Sequence, residues 1–331
     1  MLDRARRLGT APEQRLTQLA TPHVWRFVQF APAVAIVALL GEQVAVGYDA
    51  TGSLGSALSP STIAGELSSQ YGTFAAIRLV LLLAALVLAL LVHASAVAPE
   101  PSQPRIIPHP QHLGIVGPAL GLPGDRLRFA GLALTVIALV YMLLVAWSGH
   151  AVKVTPLWLS LAVDWVHLVG TAAWIGAIAV LAWGVMPLLY TLLPHERAHA
   201  VLPLLQRYSP LAYAAVVGLV LSGIYNAFNH LSSPGLSLTG ELRSTIYGQL
   251  ALLKSVGVVV LMVLSASHTY LLRPWIARME RAAESGDDEQ GLFEADAEEG
   301  LGALPERLRF EAYIGAIILL AASAMSQTFP G

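Results

Sequence analysis

The sequence predicts an all-α protein, a polytopic transmembrane helical bundle of about seven spans with a weak internal repeat. Three observations carry that prediction. Apolar runs longer than about 18 residues recur along the chain, enough to cross a bilayer core as helix. Charged residues are 12% of the 331 residues and hydrophobic residues 56%, with a mean hydropathy of +0.64. That charged fraction is about half of what a soluble domain carries. Short strands of alternating polarity, the mark of a transmembrane β-barrel, do not appear.

The spans read in order as roughly 24–46, 72–96, 128–149, 157–187, 208–229, 247–272 and 309–328. An Arg-rich segment, residues 1–23, precedes the first; it has no short apolar core followed by a small-residue cleavage site and reads as a retained cytoplasmic segment. The second span opens on Tyr71-Gly72 and closes near His93, and the third ends in Trp147-Ser148-Gly149-His150. The fourth carries Asp164 and His167, and the fifth Ser222, Asn226 and Asn229. The sixth opens on Tyr247-Gly248 and reaches His268, and the seventh holds Glu311 near its start. Residues 24–149 form a first membrane region and 150–331 a second membrane domain. Two long connections, 97–126 with His109 and His112, and 274–307 with an acidic stretch, read as mobile cytoplasmic loops.

Orientation follows from the basic residues. Fifteen Lys and Arg fall on one side of these spans and only Lys153 and Arg243 on the other. Positive charge marks the cytoplasmic face, so the N-terminus is expected in the cytoplasm and the C-terminus outside. The net charge of -2 gives no footprint for nucleic acid. With no cysteine there are no disulfides, thiolate ligands or cysteine nucleophiles. No nucleotide-binding loop, nucleophile elbow or zincin motif is present, which points away from ATP-driven pumping, hydrolysis and enzymatic activity generally.

The chemistry concentrates on one stripe. Asp164, His167, Thr171 and Trp174 are spaced three, four and three apart, which on a helix puts them on one face of an otherwise apolar span. Ionisable groups inside a membrane are expensive and mark a pathway, a ligand site or a buried pair. His167 is read either as a ligand or as hydrogen-bonded to Asp164 or a neighbouring helix. Trp174 is read as packing beside it. Asn226 is the residue of the fifth span expected to face the polar centre, while Gly218 and Ser222 form a small-xxx-small pattern for close helix approach.

Two stretches resemble each other, Leu67–His93 and Leu242–His268. Each has Tyr-Gly at one mouth of a span, a cation six residues after the glycine (Arg78 and Lys254), and a histidine near the other end. Repeated halves commonly build a site at membrane depth. Arg78 and Lys254 either snorkel to the interface or pair with a carboxylate such as Glu42 or Asp164.

DWVHLVGTAAWIGAI (164–178), RYSPLAYAAVVGLVLSGIYNA (207–227), YGQLALLKSVGVVVLMVLSASH (247–268) and LRFEAYIGAIILLAASAMSQTFP (308–330) resemble, in order, the bacterial copper resistance protein D (CopD) family of inner-membrane proteins. The resemblance covers most of residues 150–330 and makes that region a CopD-like membrane domain. It implies copper ions as cargo across the cytoplasmic membrane, and an extracytoplasmic copper-binding protein as partner. Beyond these and membrane lipid, a homo-oligomer or a larger membrane complex is an open partner. Imidazole suits copper in either valence and carboxylate is its harder partner. The candidate metal residues are therefore His150, Asp164, His167 and His230 near the outer face, and His93 and His268 near the inner. Trp174, Asn226, Arg78, Lys254, Glu42 and Glu311 support them. A rival reading keeps the same histidines as axial ligands of haem b in a membrane cytochrome. A third makes the chain a non-catalytic subunit of a membrane complex.

Overall fold

The computed structural model describes residues 2–97, 124–149, 154–192, 194–230, 243, 245–285 and 292–327. His109, His112 and His150 lie outside them, as does the side chain of His230. Among the described residues there is no strand, and seven helices are long and apolar enough to cross a membrane. They span Leu19–Thr51, Gln70–Ala94, Arg126–Ser148, Leu157–Leu189, Glu196–Asn229, Ile246–Arg278 and Gly300–Met325. Each of the seven overlaps one expected span. Large apolar side chains such as Val37, Phe129, Phe228 and Leu320 are exposed, as side chains facing hydrocarbon would be.

The chain divides into two compact units, residues 21–150 and residues 1–20 with 151–331. In the first, α1 (Leu2–Thr51) ends at Gly52, whose φ of 72° is the left-handed conformation that stops a helix without a Cβ penalty. Two short helices follow, α2 (Leu54–Ala57) and α3 (Pro60–Ser68), each opened by a serine cap, Ser53 and Ser59. The long helices α4 (Gln70–Val97) and α5 (Gly124–Ser148) complete the unit. Leu39, Ala75 and Leu82 form its buried core, with Ile36, Leu79 and Tyr141 packed around them.

The second unit contains α6 (Leu157–Ala179), which runs on through a π-helical turn, Val180–Val185, into α7 (Met186–Leu189). Next come α8 (Pro194–His230) and α9 (Ile246–Ser267), and α9 also ends in a π turn, His268–Leu272. The unit closes with α10 (Arg273–Ser285) and α11 (Leu292–Gln327). The most extensive packing joins α6 to α8 and α9 to α11. Glycines make it close: a Cβ on Gly170 would meet the Ala215 carbonyl at 3.0 Å, and one on Gly257 would meet Ile318 Cγ1 at 2.8 Å.

The helices reach beyond the expected spans where the sequence reads as connection. Pro203 and Pro210 lie inside α8 and Pro305 inside α11. Residues 274–285 and 292–307, expected as loop, are helical, with Ile276, Leu301 and Leu304 buried and Trp275 of α10 packed where Gly300 of α11 has no side chain. The physical reason is burial: an amphipathic segment beside a span gains stability by packing its apolar face rather than staying solvated.

Candidate functional site

The Tyr-Gly repeat is a repeat of local structure. In α4 the Gly72 N–H donates to Ser69 Oγ at 3.0 Å, and in α9 the Gly248 N–H donates to Thr245 Oγ1 at 2.9 Å. Each hydroxyl satisfies a donor that a helix N-terminus leaves free. About 9 Å further along each helix stands the cation.

In the first unit that cation is Arg78, 2% exposed. Its two terminal nitrogens donate to Glu42 of α1 at 3.3 and 3.2 Å in a forked pair, and the Tyr71 hydroxyl donates to the same carboxylate. Arg78 thus pairs rather than snorkels. The planar fork matches a carboxylate at both oxygens, a geometry lysine cannot copy. His93 lies in this unit too, with a buried Nδ1 that has no hydrogen-bond partner.

In the second unit the cation is Lys254, half-buried, and its nearest acceptor is an imidazole. Lys254 Nζ stands 3.3 Å from His167 Nε2, and His167 Nδ1 stands 2.9 Å from Ser222 Oγ on α8. Ser222 donates its own proton to the Gly218 carbonyl at 2.5 Å. The hydroxyl hydrogen is thereby used, so Nδ1–H must donate to Ser222, and Nε2 carries the lone pair that faces the ammonium. The chain of donors runs Lys254, His167, Ser222, Gly218. Beside it the Asn226 amide donates to Asp164 Oδ1 at 3.3 Å, one helical turn before His167. Asp164, His167, Asn226 and Lys254 are therefore brought together, and Ser222 is a member that its small-residue pattern alone did not reveal. His167 bonds to a neighbouring helix and to the lysine. Thr171 turns its hydroxyl back to the His167 carbonyl, and Trp174 is almost fully buried with an unpartnered indole N–H.

A second cluster lies about 16 Å along the same helices. Glu311 of α11 is 1% exposed, and Ser265 donates to its Oε2 at 2.8 Å. His268 Nδ1 approaches Oε1 to 3.2 Å without the alignment of a hydrogen bond, which leaves that buried oxygen unsatisfied. A cavity of about 30 Å³ opens here, lined by Tyr208, Ser209, Ser265, His268, Thr269 and Glu311 among others. Both π turns reach it, through Leu181 and His268. Such turns sit often at functional sites because they redirect side chains within a helix. Neither the turns nor the Ser265–Glu311 bond has a clear mark in the sequence; the three-residue spacing of Ser265 and His268 is the one usable signal.

Among the described residues, no three or more His, Asp or Glu side chains converge as a group able to hold a metal ion. Each cluster offers one imidazole and one carboxylate.

Comparison with known proteins matches residues 202–325 to the family model "Copper resistance protein D". Inner membrane protein YebZ of Escherichia coli (strain K12) is 30% identical over 120 residues, 36% of this chain and 37% of YebZ. Copper transport protein CutJ of Bacillus subtilis (strain 168) is 33% identical over 132 residues, 39% of this chain and 22% of CutJ. The matched parts thus span well under half the length of either curated relative. No solved structure matches. The matched segment contains Ser222, Asn226, Lys254, Ser265, His268 and Glu311, so both polar clusters draw most of their members from it.

Proposed function

We propose that this chain is a non-enzymatic membrane protein that moves or handles copper ions across the cytoplasmic membrane, through the polar faces of residues 151–331. The observation that carries the reading is the overlap of the CopD segment with the two clusters: residues 202–325 supply the α8, α9 and α11 side chains that meet His167 and surround His268. The name of CutJ, a copper transport protein, supports copper as the cargo.

Copper is substrate here, so a closed coordination cage is not required. Transport needs sites favourable enough to enter and weak enough to leave. One imidazole with one carboxylate at each of two depths fits that demand: His167 with Asp164, then His268 with Glu311. His150 and His230 are proposed as further ligands near the outer face and His93 near the inner. An extracytoplasmic copper-binding protein would deliver or receive the ion, with the N-terminus on the cytoplasmic side.

The test compares His167→Ala with wild type in cells whose copper response depends on this protein. The reading expects the copper response to be lost while membrane abundance stays normal. A purely structural His167 would instead lower abundance and response together, because Ser222 and Lys254 lose a partner at a cost of about 1–3 kcal/mol. That parallel loss, with His150→Ala silent, would overturn the reading.

A further inference from the structure

The repeat places a cation at the same register in both units, and the two are held in different ways. Arg78 is locked by two bonds to a carboxylate, with a tyrosine hydroxyl on the same group. Lys254 makes a single 3.3 Å contact with a neutral imidazole nitrogen. An arginine fork on a carboxylate is a fixed pair; an ammonium on a flexible four-carbon stem exchanges partners with little loss. A carboxylate lies on the same helix face, one turn before His167, at Asp164.

The position of Lys254 matters because of what it covers. Ser222 fixes His167 as the Nδ1–H tautomer, which turns the Nε2 lone pair toward Lys254. That lone pair is the one a metal ion would take. We propose that Lys254 is a tethered cation that occupies the ligand position of His167, and that copper binds there by displacing the ammonium from Nε2. The inference rests on the copper reading above and adds a residue that sets affinity at that site. Displacement frees Nε2 for the ion, and the Asp164 carboxylate on the same face offsets part of the positive charge that the ion adds. Lys254 holds copper affinity low, and so speeds release, without being a ligand.

The experiment titrates purified full-length protein in detergent with Cu(I) against a chromogenic chelator. It uses wild type, Lys254→Met, Lys254→Gln, Lys254→Arg, His167→Ala and the double variant Lys254→Met/His167→Ala. Melting curves of all six, read without metal, select the variants that fold. The tethered cation predicts that Lys254→Met binds Cu(I) at least about tenfold more tightly than wild type, a modest share of what a unit charge at this distance does. Lys254→Gln, which keeps a donor and loses the charge, is expected to gain affinity as well, and it decides the case if Lys254→Met does not fold. Lys254→Arg is expected to gain nothing, and His167→Ala is expected to cancel the gain of Lys254→Met. If the neutral variants bind no tighter while His167→Ala still loses copper, the lysine proposal falls and the copper reading stands. If His167→Ala binds as well as wild type in both backgrounds, the copper site at His167 falls and the lysine proposal falls with it.

Discussion

Replacing Gly170 with alanine tests how the α6–α8 contact builds the His167 cluster. Gly170 is buried on α6, one turn after His167, where it packs on α8. The added methyl would stand 3.0 Å from the Ala215 carbonyl oxygen and 3.1 Å from Leu219 Cγ. The first of these is backbone, so α8 itself must give by a few tenths of an ångström. Overpacking of this kind costs about 1–3 kcal/mol. The helix interior gains about 0.5–1 kcal/mol when glycine becomes alanine. Gly176 supplies the control: it lies on the same helix and a methyl there meets nothing within 4 Å. Gly176→Ala should therefore keep the propensity gain, and Gly170→Ala should fall about 1–3 kcal/mol below it. The same shift would stretch the 2.9 Å His167–Ser222 bond toward the limit of about 3.2 Å for a good N–H···O contact. Thermal unfolding in one detergent, run side by side, is the assay. Equal stabilisation of the two variants would refute the claim that Gly170 sets this helix spacing.

Topology has a direct check: single cysteines at Ser53 and Ser237 should react with an impermeant thiol reagent added to intact cells, and those at Ser102 and Ser285 should not, whereas the reverse pattern would invert the charge-based orientation. The haem b reading predicts a Soret band at one haem per chain after mild purification. The copper reading expects none, and a stoichiometric reduced-minus-oxidised band would put the cytochrome first.

Much of the fold is legible in the sequence because membrane spans are read by length and polarity alone, and all seven apolar runs appear as helices. Helix ends are less legible. Pro203, Pro210 and Pro305 look like breakers, yet the helices continue through them. The segments 274–285 and 292–307 carry enough charge to look like loop, and they are helical where they pack on each other. The candidate site divides along the same line. The spacing of Asp164 and His167 puts them on one face by local geometry, with no knowledge of neighbours. That Lys254 meets the imidazole rather than a carboxylate is a contact over 87 residues, set by how α6 and α9 both pack on α11. Glu311 is readable as a buried acid, but Ser265 as its donor is not, because a serine in an apolar helix bonds its own backbone in the usual case.

The proposed route takes copper through this protein by way of His167. The most direct measurement is Cu(I) entry into liposomes holding purified full-length protein, followed with a trapped copper-binding dye. Passage by way of His167 predicts entry well above protein-free liposomes for wild type and loss of that excess in His167→Ala at equal reconstitution. Entry equal to protein-free liposomes, or entry unchanged by His167→Ala, would contradict it.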